Sequence, residues 1–196
     1  MTFGASAGSF EDYFIAIRND NLSILGDLLR RGFDPNTANE AGQPGLTIAM
    51  QEHSLRAAKM LLAQPGLKID ALNAAGESAL MMAALKGETE GVKLLLERGA
   101  TVNQPGWSAL HYAASGPEPE IVRTLLGHGA EVDAVSPNGT TPLMMAAQYG
   151  SEDSVKLLLA RGADPSKRNQ KNLNAADFAK LAGRDALAAQ LQKLLR

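Results

Sequence analysis

The segment Gly139-Thr140-Thr141-Pro142-Leu143-Met144-Met145-Ala146-Ala147, closed by Val155-Lys156-Leu157-Leu158-Leu159-Ala160-Arg161-Gly162-Ala163-Asp164, recurs along almost the whole chain. Gly76-Glu77-Ser78-Ala79-Leu80-Met81-Met82-Ala83-Ala84 leads in the same way to Val92-Lys93-Leu94-Leu95-Leu96-Glu97-Arg98-Gly99-Ala100. Gly106-Trp107-Ser108-Ala109-Leu110-His111-Tyr112-Ala113-Ala114 is a further copy. Self-similarity at a fixed period means a row of small units, none able to bury an apolar face alone. Measured on the first alanine of each pair, the units register at Ala16, Ala49, Ala83, Ala113, Ala146 and Ala179, in steps of 33, 34, 30, 33 and 33 residues. The extra residue of the second unit lies near Gln64-Pro65-Gly66, and the three missing ones fall between Asn103 and Gly106. After a tail over residues 1–8, one domain spans 9–196, with units at about 9–36, 37–70, 71–103, 104–133, 134–166 and 167–196.

Within the best-preserved unit each residue type has a reason. Thr141 can accept a backbone hydrogen bond at a helix start, and Pro142 follows where no amide donor is missed. Leu143, Ala146 and Ala147 form a narrow apolar face that lets a second helix approach. Gly150 is expected to end that helix in the left-handed conformation. Val155, Leu158 and Leu159 recur at helical spacing, and Gly162 stops the second helix. Helices so short do not persist singly in water, so each must lean on its neighbours. The first unit replaces a terminating glycine with Asp20 and is expected to present Arg18, Asn19, Asp20 and Asn21 to water. The last unit carries Gln190, Gln192 and Lys193 among its outer residues, as the end of an array requires.

Gly-x-Thr-Pro-Leu at residues 139–143, the Ala-Ala pairs and the Gly-Ala-Asp ending at 162–164 resemble the ankyrin repeat. The third and fourth units keep Ser78-Ala79-Leu80 and Ser108-Ala109-Leu110 in place of Thr-Pro-Leu, and the second is degraded to Pro44-Gly45-Leu46-Thr47. The resemblance implies an all-α solenoid of about six helix–turn–helix units joined by β-hairpin-like finger loops. It also implies a non-enzymatic module that recognises a protein or peptide through the concave face of the array.

Composition narrows the alternatives. Lys and Arg total 19 against 21 Asp and Glu, so no cationic field is available to neutralise nucleic-acid phosphates. No run approaches the length of a membrane helix. The absence of cysteine removes disulfides and thiolate chemistry. Of the three histidines, His111 holds the motif's own position, where the resemblance implies a structural bond to turn backbone. His53 and His128 fall elsewhere in their units, and no His-x-x-x-His pair exists, so neither a catalytic nor a metal site is expected. No cofactor is expected either. Met81-Met82 and Met144-Met145 read as core filling with one member of each pair at the motif histidine. Ala5-Ser6-Ala7 has the form of a signal-peptidase site, which points to export into the periplasm, with the cytoplasm as the alternative.

A partner would meet the positions that the repeat leaves variable. In the third unit these are Glu77, Met82, Leu85 and Lys86; in the fourth, Trp107, Tyr112 and Ser115; in the fifth, Thr140, Met145, Gln148 and Tyr149. The second unit offers Gln43, Ile48, Gln51 and Glu52. The only Trp and two of the three Tyr of the chain fall in this set, and Trp and Tyr are common interface anchors. The shortened fourth finger is expected to open a notch with Trp107 on its floor and Tyr112 and Tyr149 on its wall. The alternative is that Trp107 and Tyr112 fill the space the deletion leaves. The expected partner is a protein or peptide bound by a single copy of the chain. A second reading is an exported factor of the kind linked to stress, binding and stabilising an enzyme.

Overall fold

The computed structural model describes residues 7–195; most of the Ala5-Ser6-Ala7 string lies outside them. Twelve helices form six antiparallel pairs: α1 (Ala7–Arg18) with α2 (Leu22–Arg30), α3 (Gly45–Gln51) with α4 (Leu55–Leu62), and α5 (Ala79–Lys86) with α6 (Thr89–Glu97). They continue with α7 (Ala109–Ser115) and α8 (Pro119–Gly127), α9 (Pro142–Gln148) and α10 (Glu152–Ala160), and α11 (Ala175–Leu181) and α12 (Asp185–Lys193). Helix α1 begins at Ala7, so the first unit takes in two residues assigned to the tail. The fingers are tight turns rather than strand pairs: among the described residues the backbone shows one isolated antiparallel bridge, Ala38 with Pro44.

Three inner helices, α5, α9 and α11, start on side-chain caps. Ser78, Thr141 and Asn174 accept from the backbone N–H groups of Met81, Met144 and Asp177. The third helical residue answers by accepting the cap's own N–H: the Asp177 carboxylate at 2.9 Å, the His111 ring at 3.1 Å, and the thioether sulfurs of Met81 and Met144 at 3.5 and 3.4 Å. A capping box of this kind satisfies donors that a short helix leaves over. The two methionines therefore both fill the core and serve as acceptors.

Inner helices stack in one row, α1 to α3 and on to α11, with the outer helices packed behind. The row is close because it is built from small residues. Gly150 does not take the left-handed conformation expected of it; Tyr149 closes α9 with φ −118°. Its side is occupied instead: a Cβ there would stand 2.0 Å from the carbonyl oxygen of Ala114 in the preceding unit. Glycine is required at this position for approach, not for curvature. Gly87, closing α5 at φ 74°, is the left-handed case. Beyond Gly150, the Arg184 guanidinium donates to the carbonyls of Ala146, Ala147 and Gly150 at 2.9–3.0 Å, which ties the last unit to the end of α9.

A second row of bonds runs behind the fingers. Asn36 accepts from Lys68 N–H at 2.7 Å, Asp70 from Thr101 at 2.9 Å, Asn103 from Glu131 at 3.0 Å and Asp133 from Asp164 at 3.1 Å. Each staples one unit to the next. The first unit joins the same scheme: Asp20, in the left-handed region at φ 49°, accepts from Ala57 N–H at 2.6 Å, and Asn21 caps α2. Both were expected merely to face water, yet Asp20 holds the first unit to the second and Asn21 caps the outer helix of its own unit; Arg18, Asn19, Gln190, Gln192 and Lys193 are exposed.

The tight contact at Gly150 separates two glycine substitutions. Gly150→Ala forces backbone apart and is expected to cost roughly 2 kcal/mol, about 4–8 °C in Tm. Gly127→Ala, where the added Cβ meets nothing within 4 Å, is expected to raise stability by about 0.5 kcal/mol through the unfolded chain. Calorimetry on the two variants checks both signs.

Candidate functional site

Four fingers close in one way. Asn39, Asn73, Ser136 and Asn169 each donate their backbone N–H to the carbonyl four residues on, at Gln43, Glu77, Thr140 and Leu173, over 2.9–3.0 Å. The same residues accept backbone N–H bonds on their side chains inside the turn. Among the described residues no such closure joins Asn103 to Trp107. The side chain of Asn103 is engaged instead with Gly129 and Glu131 of the next unit, and the missing residues remove the turn itself.

Trp107 stands at this break, half-buried, with its ring edge-on to His111 at 5.2 Å between centroids. His111 is fully buried and fixed at both nitrogens: Nδ1 accepts from Ser108 N–H at 3.1 Å, and Nε2–H donates to the Thr140 carbonyl at 3.0 Å. Burial pushes its pKa below the ordinary 6.5, outweighing the backbone bonds to Thr140 and Ala134 that favour the proton. A neutral imidazole fits this double use. Tyr112 leans the other way: its hydroxyl donates to Glu77 Oε1 at 2.9 Å, and Asn73 holds Oε2 at 2.8 Å. Burial first, then the Glu77 carboxylate, raises the Tyr112 pKa, so the phenol stays protonated and donating.

These side chains surround an open pocket of about 440 Å3 lined by Leu85, Trp107, His111, Tyr112, Ser115, Met145 and Tyr149. Three units contribute. Tyr149 is 62% exposed on its rim. Six of the lining residues are variable positions of the repeat; His111 is the seventh, a motif position expected to be purely internal whose ring nonetheless reaches the pocket wall. Ser115 Oγ is turned back onto the His111 carbonyl at 2.9 Å.

Other members of the set lie differently. Met82 and Thr140 are buried, at 6% and 2% exposure, and do not present a surface to a partner. Helices of seven or eight residues stack so closely that Met82 is covered in the row of α5. Thr140 has its N–H taken by Ser136 and Asn138 and its carbonyl by His111, so it supports the pocket from beneath. Glu77 is half-buried behind Tyr112, Lys86 is exposed at the end of α5, and Gln148 is half-buried beside the pocket. In the second unit Ile48 is buried, Gln43 bonds Gln51 at 3.3 Å, and Glu52 is exposed, all outside the pocket.

Among the described residues no three His, Cys, Asp or Glu side chains converge as metal ligands. His53 pairs with Glu88 at 2.9 Å and His128 contacts the Thr124 carbonyl at 2.8 Å. No described helix is long and apolar enough to cross a membrane.

The model of ankyrin repeats (3 copies) matches residues 13–105 and 101–169. The chain belongs to the ankyrin-repeat family. An ankyrin repeat-containing protein of Treponema pallidum is 31% identical over 174 residues, covering 88% of this chain and 48% of that protein. Ankyrin repeat and SAM domain-containing protein 6 of Rattus norvegicus is 36% identical over 147 residues, 75% of this chain and 13% of that one. The chain thus spans less than half the length of these relatives. Among solved structures, a chain in the complex of the Bd0816 predatory endopeptidase from Bdellovibrio bacteriovorus with immunity protein Bd3460 superposes with TM-score 0.80 at 25% identity, over 97% of this chain and 99% of that one. Ankyrin-repeat proteins are in general protein-interaction modules without enzymatic activity.

The His111 environment sets a pH dependence. Its folded-state pKa is depressed, so falling pH loads the proton onto the unfolded chain first. The stability it contributes is complete above about pH 6.5 and is lost as pH falls through the folded-state value. His111→Met, copying the residue at Met81 and Met144, is expected to flatten the part of the stability change between pH 7 and 5 that belongs to this ring. Urea unfolding of both proteins at the two pH values measures the difference.

Proposed function

We propose that this ankyrin array is a non-enzymatic module that captures a segment of another protein in the pocket around Trp107 and Tyr112. The observation that carries the reading is the open aromatic pocket at the one finger that fails to close. Large rigid aromatics on a rigid scaffold bind at small entropic cost, and such residues dominate interface energetics. Tyr112 is pre-set by Glu77 and Trp107 by the His111 ring, so little ordering remains for the partner to impose. Nothing in the pocket resembles a nucleophile with a poised base: His111 has both nitrogens committed, and Ser115 faces backbone.

A second reading makes that partner an enzyme, which the chain would bind and stabilise after export. The similar fold found in the complex of the Bd0816 endopeptidase with immunity protein Bd3460 supports it. The two readings use the same pocket and differ in what is caught.

Affinity capture from native lysate, with the wild type beside the Trp107→Ala/Tyr112→Ala double variant, tests the proposal. Truncating two central anchors is expected to weaken capture at least 30-fold, the loss that one anchor of about 2 kcal/mol produces alone. The far-UV CD spectrum should be unchanged. Equal capture by both proteins rules out the pocket, and an enzyme as the captured species supports the second reading.

A further inference from the structure

The partner's own chemistry can be read from the charges around the pocket. Residues 99–117 and 134–151 hold no Asp, Glu, Lys or Arg. The pocket and its surroundings in the fourth and fifth units are therefore uncharged. Beyond the pocket, toward the last unit, Tyr149 and Leu181 are apolar side chains exposed at 62% and 67%, the latter at the same repeat position as Leu85 and Ser115. The sixth finger, stacked on the fifth through Gln170 N–H to Asn138 O at 2.9 Å, then brings Lys167, Arg168 and Lys171 within five residues. Arg168 is shared with Asp177 at 3.6 Å and the Asn172 carbonyl. Lys171 sits exposed at the tip and has no ion-pair partner among the described residues.

We propose that the pocket receives an extended segment of a partner protein carrying one large apolar side chain and, toward the sixth unit, an acidic residue that meets Lys171. This inference rests on the binding role proposed for the pocket and adds the identity of what it selects. The spacing follows from packing. Adjacent helices lie about 8–10 Å apart, so the two steps from α7 to α11 cover roughly 16–20 Å. An extended chain advances about 3.3 Å per residue, which separates anchor and acid by roughly five or six positions. The uncharged stretches of the fourth and fifth units disfavour a charged residue in the part of the segment that crosses them, because it would lose water without gaining a counter-ion. The acid–lysine contact is exposed and is weakened by salt.

Panning a phage-displayed library of random 12-residue peptides on the whole protein tests this. Peptides whose capture is lost on Trp107→Ala should carry one Trp, Phe, Leu or Met and an Asp or Glu about five or six positions away. Repeating the selection on the Lys167→Glu/Lys171→Glu variant should replace that acid by Lys or Arg, and wild-type-selected peptides should bind the variant at least tenfold more weakly. Lys171 is exposed and Lys167 half-buried, both in the finger and outside the helices, and CD verifies that the variant folds. Trp107-dependent peptides with no acidic preference, or with a preference that charge reversal leaves intact, overturn this inference and leave the pocket's binding role standing. A selection with no Trp107-dependent peptides overturns both.

Discussion

Every helix pair in this chain is held by the pair beside it. Helices of seven to twelve residues have too little internal hydrogen bonding to persist alone, so the contacts between units carry the fold. They are of two kinds. The inner helices touch closely enough that Gly150 lies against the Ala114 backbone and a side chain at Gly116 would meet the Ala84 carbonyl at 2.8 Å. Behind the fingers, Asn36, Asp70, Asn103 and Asp133 reach one unit forward to bond a backbone N–H. The first contact brings the rows together and the second fixes their rotation. Arg184 of the last unit adds to both, donating to three carbonyls at the end of α9.

The pocket is a local exception inside this regular scheme. The Asn103 staple survives the deletion, spanning 28 residues to Glu131 where its counterpart Asp70 spans 31 to Thr101. The stack therefore continues undisturbed while the finger in front loses its turn. Fold and site are separated by that economy: the deletion removes a loop, not a contact between units. Rigid neighbours on both sides then hold Tyr112 and Tyr149 at fixed positions around the break. A binding surface placed on a preorganised scaffold loses little entropy on association.

The units, their number and the shortened finger were all legible in the sequence, because the apolar positions and glycines return at a constant step. So were most of the pocket residues, since the repeat marks which positions it leaves free. Periodicity did not reveal which of those free positions are covered. Met82 and Thr140 look equivalent to Tyr112 and Trp107 in register, yet packing in the third unit and the intact fifth finger bury them. Gly150 looked like a helix terminator because glycine usually is one; its reason lies 36 residues away at Ala114. Arg184 reads as an ordinary charged residue, and its three carbonyl partners are 34–38 residues earlier in the chain. The sulfur acceptors of Met81 and Met144 were hidden because methionine signals core before it signals polarity.

The pocket opens where three residues are missing from the fourth finger. Inserting three residues between Gln104 and Pro105 restores the length of the neighbouring fingers and tests that origin most directly. The only tryptophan of the chain reports on the site by its fluorescence. With the pocket closed, emission from Trp107 should shift to the blue and capture of the lysate partner should be lost, while the helical CD signal is kept. An insertion variant that folds, leaves Trp107 emission unchanged and captures the partner as well as the wild type contradicts the account.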